Sequence, residues 1–147
     1  MRLLFLLTLA LLVTSSAVDA ADLSPKAIIG DWYGEGQPGD PNVYWIDHFG
    51  SDGSFAIELR HCHGGEGDYH VEAGSWSFKG KNLRITTDFV NGEAVHYEDE
   101  YEIFSFDGHL KKDRLIVSNA LQSNVGSVFV STHEPGGFKL PDCHQTS

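Results

Sequence analysis

Two histidines flank a cysteine in His61-Cys62-His63, and the second cysteine is followed by another histidine in Cys143-His144. Thiols beside imidazoles allow two chemistries, a disulfide or a metal site. An even cysteine count in a chain that carries an export leader argues for a bridge. A Cys62–Cys143 disulfide closes a loop of about eighty residues, which the loop-entropy picture values at ~4 kcal/mol. Bridged cysteines have Cα atoms about 5.5 Å apart, which brings His144 within reach of His61 and His63. Residues i and i+2 of a strand share a face, so His61 and His63 can grip one ion, and three imidazoles suit zinc or copper. The alternative is that these histidines are exposed neighbours of a disulfide. A reduced Cys2His2 site is disfavoured in an oxidising compartment.

A second constellation lies in Val95-His96-Tyr97-Glu98-Asp99-Glu100-Tyr101-Glu102-Ile103. Read with a period of two, His96, Glu98, Glu100 and Glu102 form a wet acidic stripe. The other face holds Val95, Tyr97, Asp99, Tyr101 and Ile103, which puts Asp99 on the apolar side between two tyrosines. A carboxylate there needs a partner, or its pKa rises. It either orients a ligand or acts as a base, unless tyrosine hydroxyls or a bulge satisfy it. The same alternation directs Phe55, Ile57, Leu59, Phe89, Tyr97 and Tyr101 inward. These rings and branched chains suit a flat or apolar ligand, or else fill the interior entirely. In Tyr44 to Phe49 both faces hold apolar side chains, and the inward one is not decided.

No glycine-rich phosphate cradle, serine elbow or Cys–His nucleophile pair occurs at recognisable spacing. Ser127 or Ser131 with His133 makes no triad signature without geometry. The expectation is therefore a protein that is not an enzyme and needs no cofactor.

The elements that position these residues have period two. Phe55, Ile57 and Leu59 alternate with Ala56, Glu58 and Arg60; Leu83, Ile85, Thr87 and Phe89 alternate with Arg84, Thr86 and Asp88. Such alternation marks strands with one wet and one buried face. Between the runs lie turn signals, Gly50-Ser51-Asp52-Gly53, Lys79-Gly80-Lys81-Asn82, Asn91-Gly92 and Asp107-Gly108. Asn-Gly is the strongest of them, because both residues tolerate the positive φ of a type I′ turn. The runs predict eight strands, at about 31–36, 43–49, 54–62, 69–78, 83–90, 94–106, 112–119 and 125–133. Short connections pair neighbours as an up-and-down antiparallel meander. With no helix to cover its edges, the sheet avoids exposing them by closing into a barrel. Two packed four-stranded sheets are the alternative. Ahead of the first strand, Ser24-Pro25-Lys26-Ala27-Ile28-Ile29-Gly30 reads as a helical turn capped by Ser24. Ile28 and Ile29 would plug one end of the barrel.

A helical turn leading into Gly30-Asp31-Trp32 resembles the lipocalin and calycin superfamily. Asp52-Gly53-Ser54-Phe55 and Gly74-Ser75-Trp76-Ser77-Phe78 are similar to the repeating units of small bacterial lipocalin-like domains. Gly30-x-Trp32-x-Gly34-x-Gly36 also resembles the start of nitrobindin-like haem barrels. The lipocalin resemblance spans roughly residues 24 to 133. It implies an eight-stranded barrel with Gly30 and Trp32 in structural roles, the indole lying across the closed end beneath a late arginine. No arginine follows Arg114, the family's second motif stands here as Phe106-Asp107-Gly108, and no helix follows the last strand.

Residues 1–20 read as a signal peptide. Arg2 leads an apolar run from Leu3 to Val13, followed by small residues and a cut after Ala20. Such a run is too short for a membrane span, which needs ~20 residues. A cut after Ala17 is the second choice. Residues 21–147 then form one domain, exported to the periplasm or the cell exterior, with no membrane anchor. The net charge of −11 repels phosphate backbones and anionic headgroups, which argues against nucleic acid as a partner. The expected partner is a small apolar molecule inside the barrel. An interaction protein or inhibitor working through loops at 37–42 and 63–68 is the alternative, and metal capture by the histidines is a third reading.

Overall fold

The computed structural model describes residues 23–143 apart from 64 and 65. The proposed leader and His144 therefore lie outside the described residues. Eight strands form, β1 (Gly30–Gln37), β2 (Asp40–Phe49), β3 (Ser54–His63), β4 (Glu66–Lys79), β5 (Asn82–Val90), β6 (Glu93–Phe106), β7 (Leu110–Ser118) and β8 (Val128–Glu134). Each pairs antiparallel with the next, and β8 returns to β1, so the sheet is a closed up-and-down barrel. Closure removes the free edges that eight uncovered strands would otherwise present.

Asn91 (φ +50°) and Gly92 (φ +82°) make the β5–β6 turn, as Asn-Gly should. The two loops considered for partner binding are tighter than expected. Gln37 pairs with Asp40 and His63 with Glu66, so the strands run into residues 37–42 and 63–68, and the first of these connections is a two-residue hairpin turn. A two-residue turn lets the ladder continue to its end, and little loop remains. Among the described residues no helix is long and apolar enough to cross a membrane.

One end of the barrel is plugged. Pro25–Ala27 form a single 3-10 turn, held by the Ser24 carbonyl rather than by its hydroxyl. Ile28 is fully buried behind it, and Ile29 is partly buried. The Trp32 indole lies against Phe106 and His133 and donates to the Ile28 carbonyl at 2.8 Å. Gly30, at φ +126°, begins β1 with His133 beside it. Leu23, Phe49, Phe55, Leu83 and Ile103 complete this apolar floor. Among the described residues no arginine covers Trp32; the Lys111 ammonium stands 5.9 Å from its ring instead.

Both faces of β2 are buried, for two reasons. Val43, Trp45, Asp47 and Phe49 point into the barrel, whereas Tyr44 and Ile46 point out and lie beneath the C-terminal tail. Phe138 packs on Tyr33 and Leu140 on the outer cluster of β2. Arg60 donates to the carbonyls of Leu140 (3.2 Å) and Pro141 (2.6 Å). The Cys62–Cys143 disulfide fastens the tail, with Cα atoms 5.3 Å apart. An outward apolar stripe in a barrel strand thus has a cover supplied by its own chain.

Candidate functional site

Above the floor lies a cavity of about 250 Å3. Its position follows from strand direction. The β1–β2, β3–β4 and β5–β6 hairpins and the 119–127 connection surround the end opposite the plug, and Gln37, His61, Leu121 and Asn124 line the cavity there. The wall is largely apolar, made by Trp45, Phe55, Ile57, Leu59, Ile85 and Phe129. Phe129 meets both Trp45 and Tyr101 edge to face, with ring centres 6.1 and 6.0 Å away.

Five residues expected inside reach the cavity, namely Phe55, Ile57, Leu59, Asp99 and Tyr101. Phe89 and Tyr97 do not line it and are 49% and 36% exposed. The cause is local. The β4 and β6 ladders both slip at Asp88, between Ala73 and Gly74 on one side and between Thr87 and Phe89 on the other. A bulge of this kind re-aims the side chains beyond it. Gly74 permits it, since a Cβ there would meet the Thr86 carbonyl oxygen at 1.9 Å. Past the bulge, Phe89 pairs with Ala73, the partner of outward-facing Ala56, and so leaves the interior. Tyr97 pairs with Thr87 ahead of the bulge, in unbroken register with Asp99, and stands at the rim near the start of β6.

Polar groups occupy two levels. Deep in the barrel, Lys111, only 2% exposed, is ion-paired with Asp113 and lies 3.9 Å from Asp47 Oδ2. Its ammonium also faces the rings of Trp32 and Phe49 at just under 6 Å. Burial opposes the charge on Lys111, but the carboxylates of Asp113 and Asp47 outweigh it and hold the pKa above the ordinary lysine range. Burial pushes Asp47 up to about 6, against the pull of Lys111. Sequence reasoning passed over this group because charged residues read as wet. The available signal was Lys111, Asp113 and Leu115 alternating on one face of a strand.

Nearer the mouth, Asp99 and Glu72 face the cavity. Asp99 Oδ1 is buried without a hydrogen-bond partner among the described residues, and burial raises the pKa of Asp99, a bond from Ser118 only partly opposing this. Burial likewise raises Glu72, which accepts from Thr87 Oγ1 at 3.4 Å and has His70 Nε2 at 3.5 Å. Tyr101 stays protonated well past its usual range, through burial and then the charges of Asp99, Asp113, Asp47 and Glu72. The site therefore offers aromatic walls, a phenolic donor and two carboxyl groups that take protons easily.

At the lip, His61 and His63 lie on one side of β3 as their spacing requires. Asp40, at the start of β2, is the third member of that group. His70 stacks on His61 with ring centres 5.5 Å apart. Asp40 escaped the sequence reading because only the pairing of Val43 with His61 brings the start of β2 to that place. No family model matches this chain, and no curated protein is significantly similar to it in sequence.

Proposed function

We propose that this chain is an exported, lipocalin-like binding barrel that holds one small, mostly apolar molecule. The observation that carries the reading is the cavity of about 250 Å3, walled by aromatic and branched side chains and placed at the unplugged end. Cavities of about 150 Å3 lined by apolar side chains already hold a benzene-sized guest. Ligand sites characteristically combine such walls with a few fixed polar groups. Asp99 Oδ1 adds a chemical requirement, because a buried acceptor with no donor costs roughly 1–3 kcal/mol until something bonds to it. The ligand that fits best has a flat apolar body and a hydrogen-bond donor aimed at Asp99. A disulfide is in keeping with export.

Titration with an environment-sensitive apolar dye tests the reading. Binding saturates at one dye per chain. Leu59→Trp, which fills the cavity, abolishes it, while Val130→Trp on the outer surface leaves it intact. A wild-type chain that shows no saturable binding overturns the proposal.

A further inference from the structure

We propose that Asp40, His61 and His63 form a binding site for one divalent transition-metal ion, of the zinc or copper class, at the lip of the barrel. Asp40 Oδ2 lies 3.2 Å from His61 Nδ1 and 3.4 Å from His63 Nε2. One ligand atom from each of the three residues lies within 4.8 Å of the other two. Three donors at 2.0–2.2 Å from a common tetrahedral centre stand about 3.3–3.6 Å apart, and octahedral neighbours stand somewhat closer. Two edges of the triangle already have metal-site dimensions. The third closes by rotating His63, whose side chain is 67% exposed.

The scaffold supports this geometry from both strands. His61 and His63 share a face of β3, paired with β2 on one side and β4 on the other. Asp40 is oriented by its other oxygen, since Oδ1 accepts the Asn42 amide at 3.0 Å and Oδ2 is left toward the imidazoles. That bond is the outer support that metal-binding carboxylates ordinarily have. The His70 ring, stacked on His61, limits its rotation. Two imidazoles and one carboxylate suit borderline cations far better than magnesium or calcium, which prefer all-oxygen sites. Three protein ligands leave at least one coordination position for water or a ligand group. Because His61 also lines the cavity, an ion held here stands at its entrance. The site needs no cavity ligand, so it stands or falls separately from the binding-barrel reading.

The alternative is three side chains making ordinary surface ion pairs, and metal titration separates the two. Untagged protein, desalted and free of chelator, is titrated with Zn2+ by calorimetry and with Co2+ by visible absorption. One equivalent binds, and Co2+ develops the d–d bands of a nitrogen- and oxygen-ligated site. Asp40→Asn, His61→Ala and His63→Ala each weaken binding by roughly tenfold or more, whereas His109→Ala at the far end of the barrel leaves it unchanged. If a variant fails to fold, proton spectra of the wild type with substoichiometric Cu2+ still decide. The ring signals of His61 and His63 broaden while those of His109 and His133 stay sharp. Absence of one-equivalent binding, equal affinities across the variants, or broadening centred elsewhere overturns the site.

Discussion

The indole of Trp45 occupies the space that a side chain at position 34 would need. Gly34 and Trp45 are directly paired across β1 and β2, and a Cβ on Gly34 would lie 2.1 Å from Trp45 Cζ2 and 2.4 Å from Cε2. The missing side chain on β1 thus lets the largest ring of the cavity wall lie flat against the barrel, and the free volume in front of it is what remains.

Gly34→Ala should therefore act on stability and cavity together. The methyl group forces the indole inward, and overpacking of this kind typically costs about 1–3 kcal/mol. Denaturant unfolding should show a lower midpoint, dye binding should weaken, and Trp45 emission should shift. Unchanged dye affinity would show that the ring does not bound the binding space.

Asp47 predicts a pH-dependent gain on neutralisation. Its folded pKa of about 6 stands above the ordinary 3.8, so the native chain holds this proton more tightly than the unfolded chain does. Stability from this group is therefore lost as pH rises from about 4 to about 6, and the loss persists above that range. Asp47→Asn should raise stability at pH 7.5 by an amount on the order of 2 kcal/mol, the gain vanishing near pH 4. Urea unfolding at both pH values checks the sign.

His48 runs the same test on the outer surface. Its Nδ1 lies 2.7 Å from Asp31 Oδ1 and its Nε2 3.1 Å from Glu58 Oε1. Partial burial works against protonation, but bonds and charges from Asp31 and Glu58 outweigh it and raise the pKa. The stabilisation from charged His48 is complete below pH 6.5 and is lost as pH rises through the higher folded value. His48→Gln should flatten the fall in stability between pH 6 and 8.5, measured as urea midpoints. An unchanged slope would show that the relay carries no linkage.

Replacing both cysteines by serine should cost up to ~4 kcal/mol in the loop-entropy model, for a bridge spanning 81 positions. The tail should also loosen. Trypsin is then expected to cut after Lys139 rapidly in the serine variant and slowly in the oxidised wild type. Equal cleavage rates would show that Arg60, Phe138 and Leu140 hold the tail unaided.

Period-two alternation made the barrel legible, because one wet and one dry face is the condition for a closed sheet to stay soluble. It failed where other forces intervene. The Asp88 bulge turned Phe89 out of the interior, and a bulge leaves no mark on alternation itself; Tyr97 kept its register but lies too near the start of β6 to reach the cavity. Tyr44 and Ile46 obscured the direction of β2, because a tail some ninety positions away buries them. Lys111 and Asp113 were invisible as interior residues because each satisfies the other. Of the metal group, the shared face of His61 and His63 was local and readable, whereas Asp40 joins them only through strand register.

The seam between β1 and β8 consists of four residue pairs, from Asp31 with Glu134 to Gly34 with Ser131. Every other strand pairing joins neighbours in sequence, so those hairpins form as soon as both strands exist. The seam alone must wait for about a hundred intervening residues, and such distant closure is what slows a β-protein's folding. Until β8 emerges, the growing chain is an open sheet with the unpaired groups of two edge strands facing water. Its resistance to edge-to-edge association is thus acquired in one step, late in synthesis. A chain halted short of Val128 never acquires it.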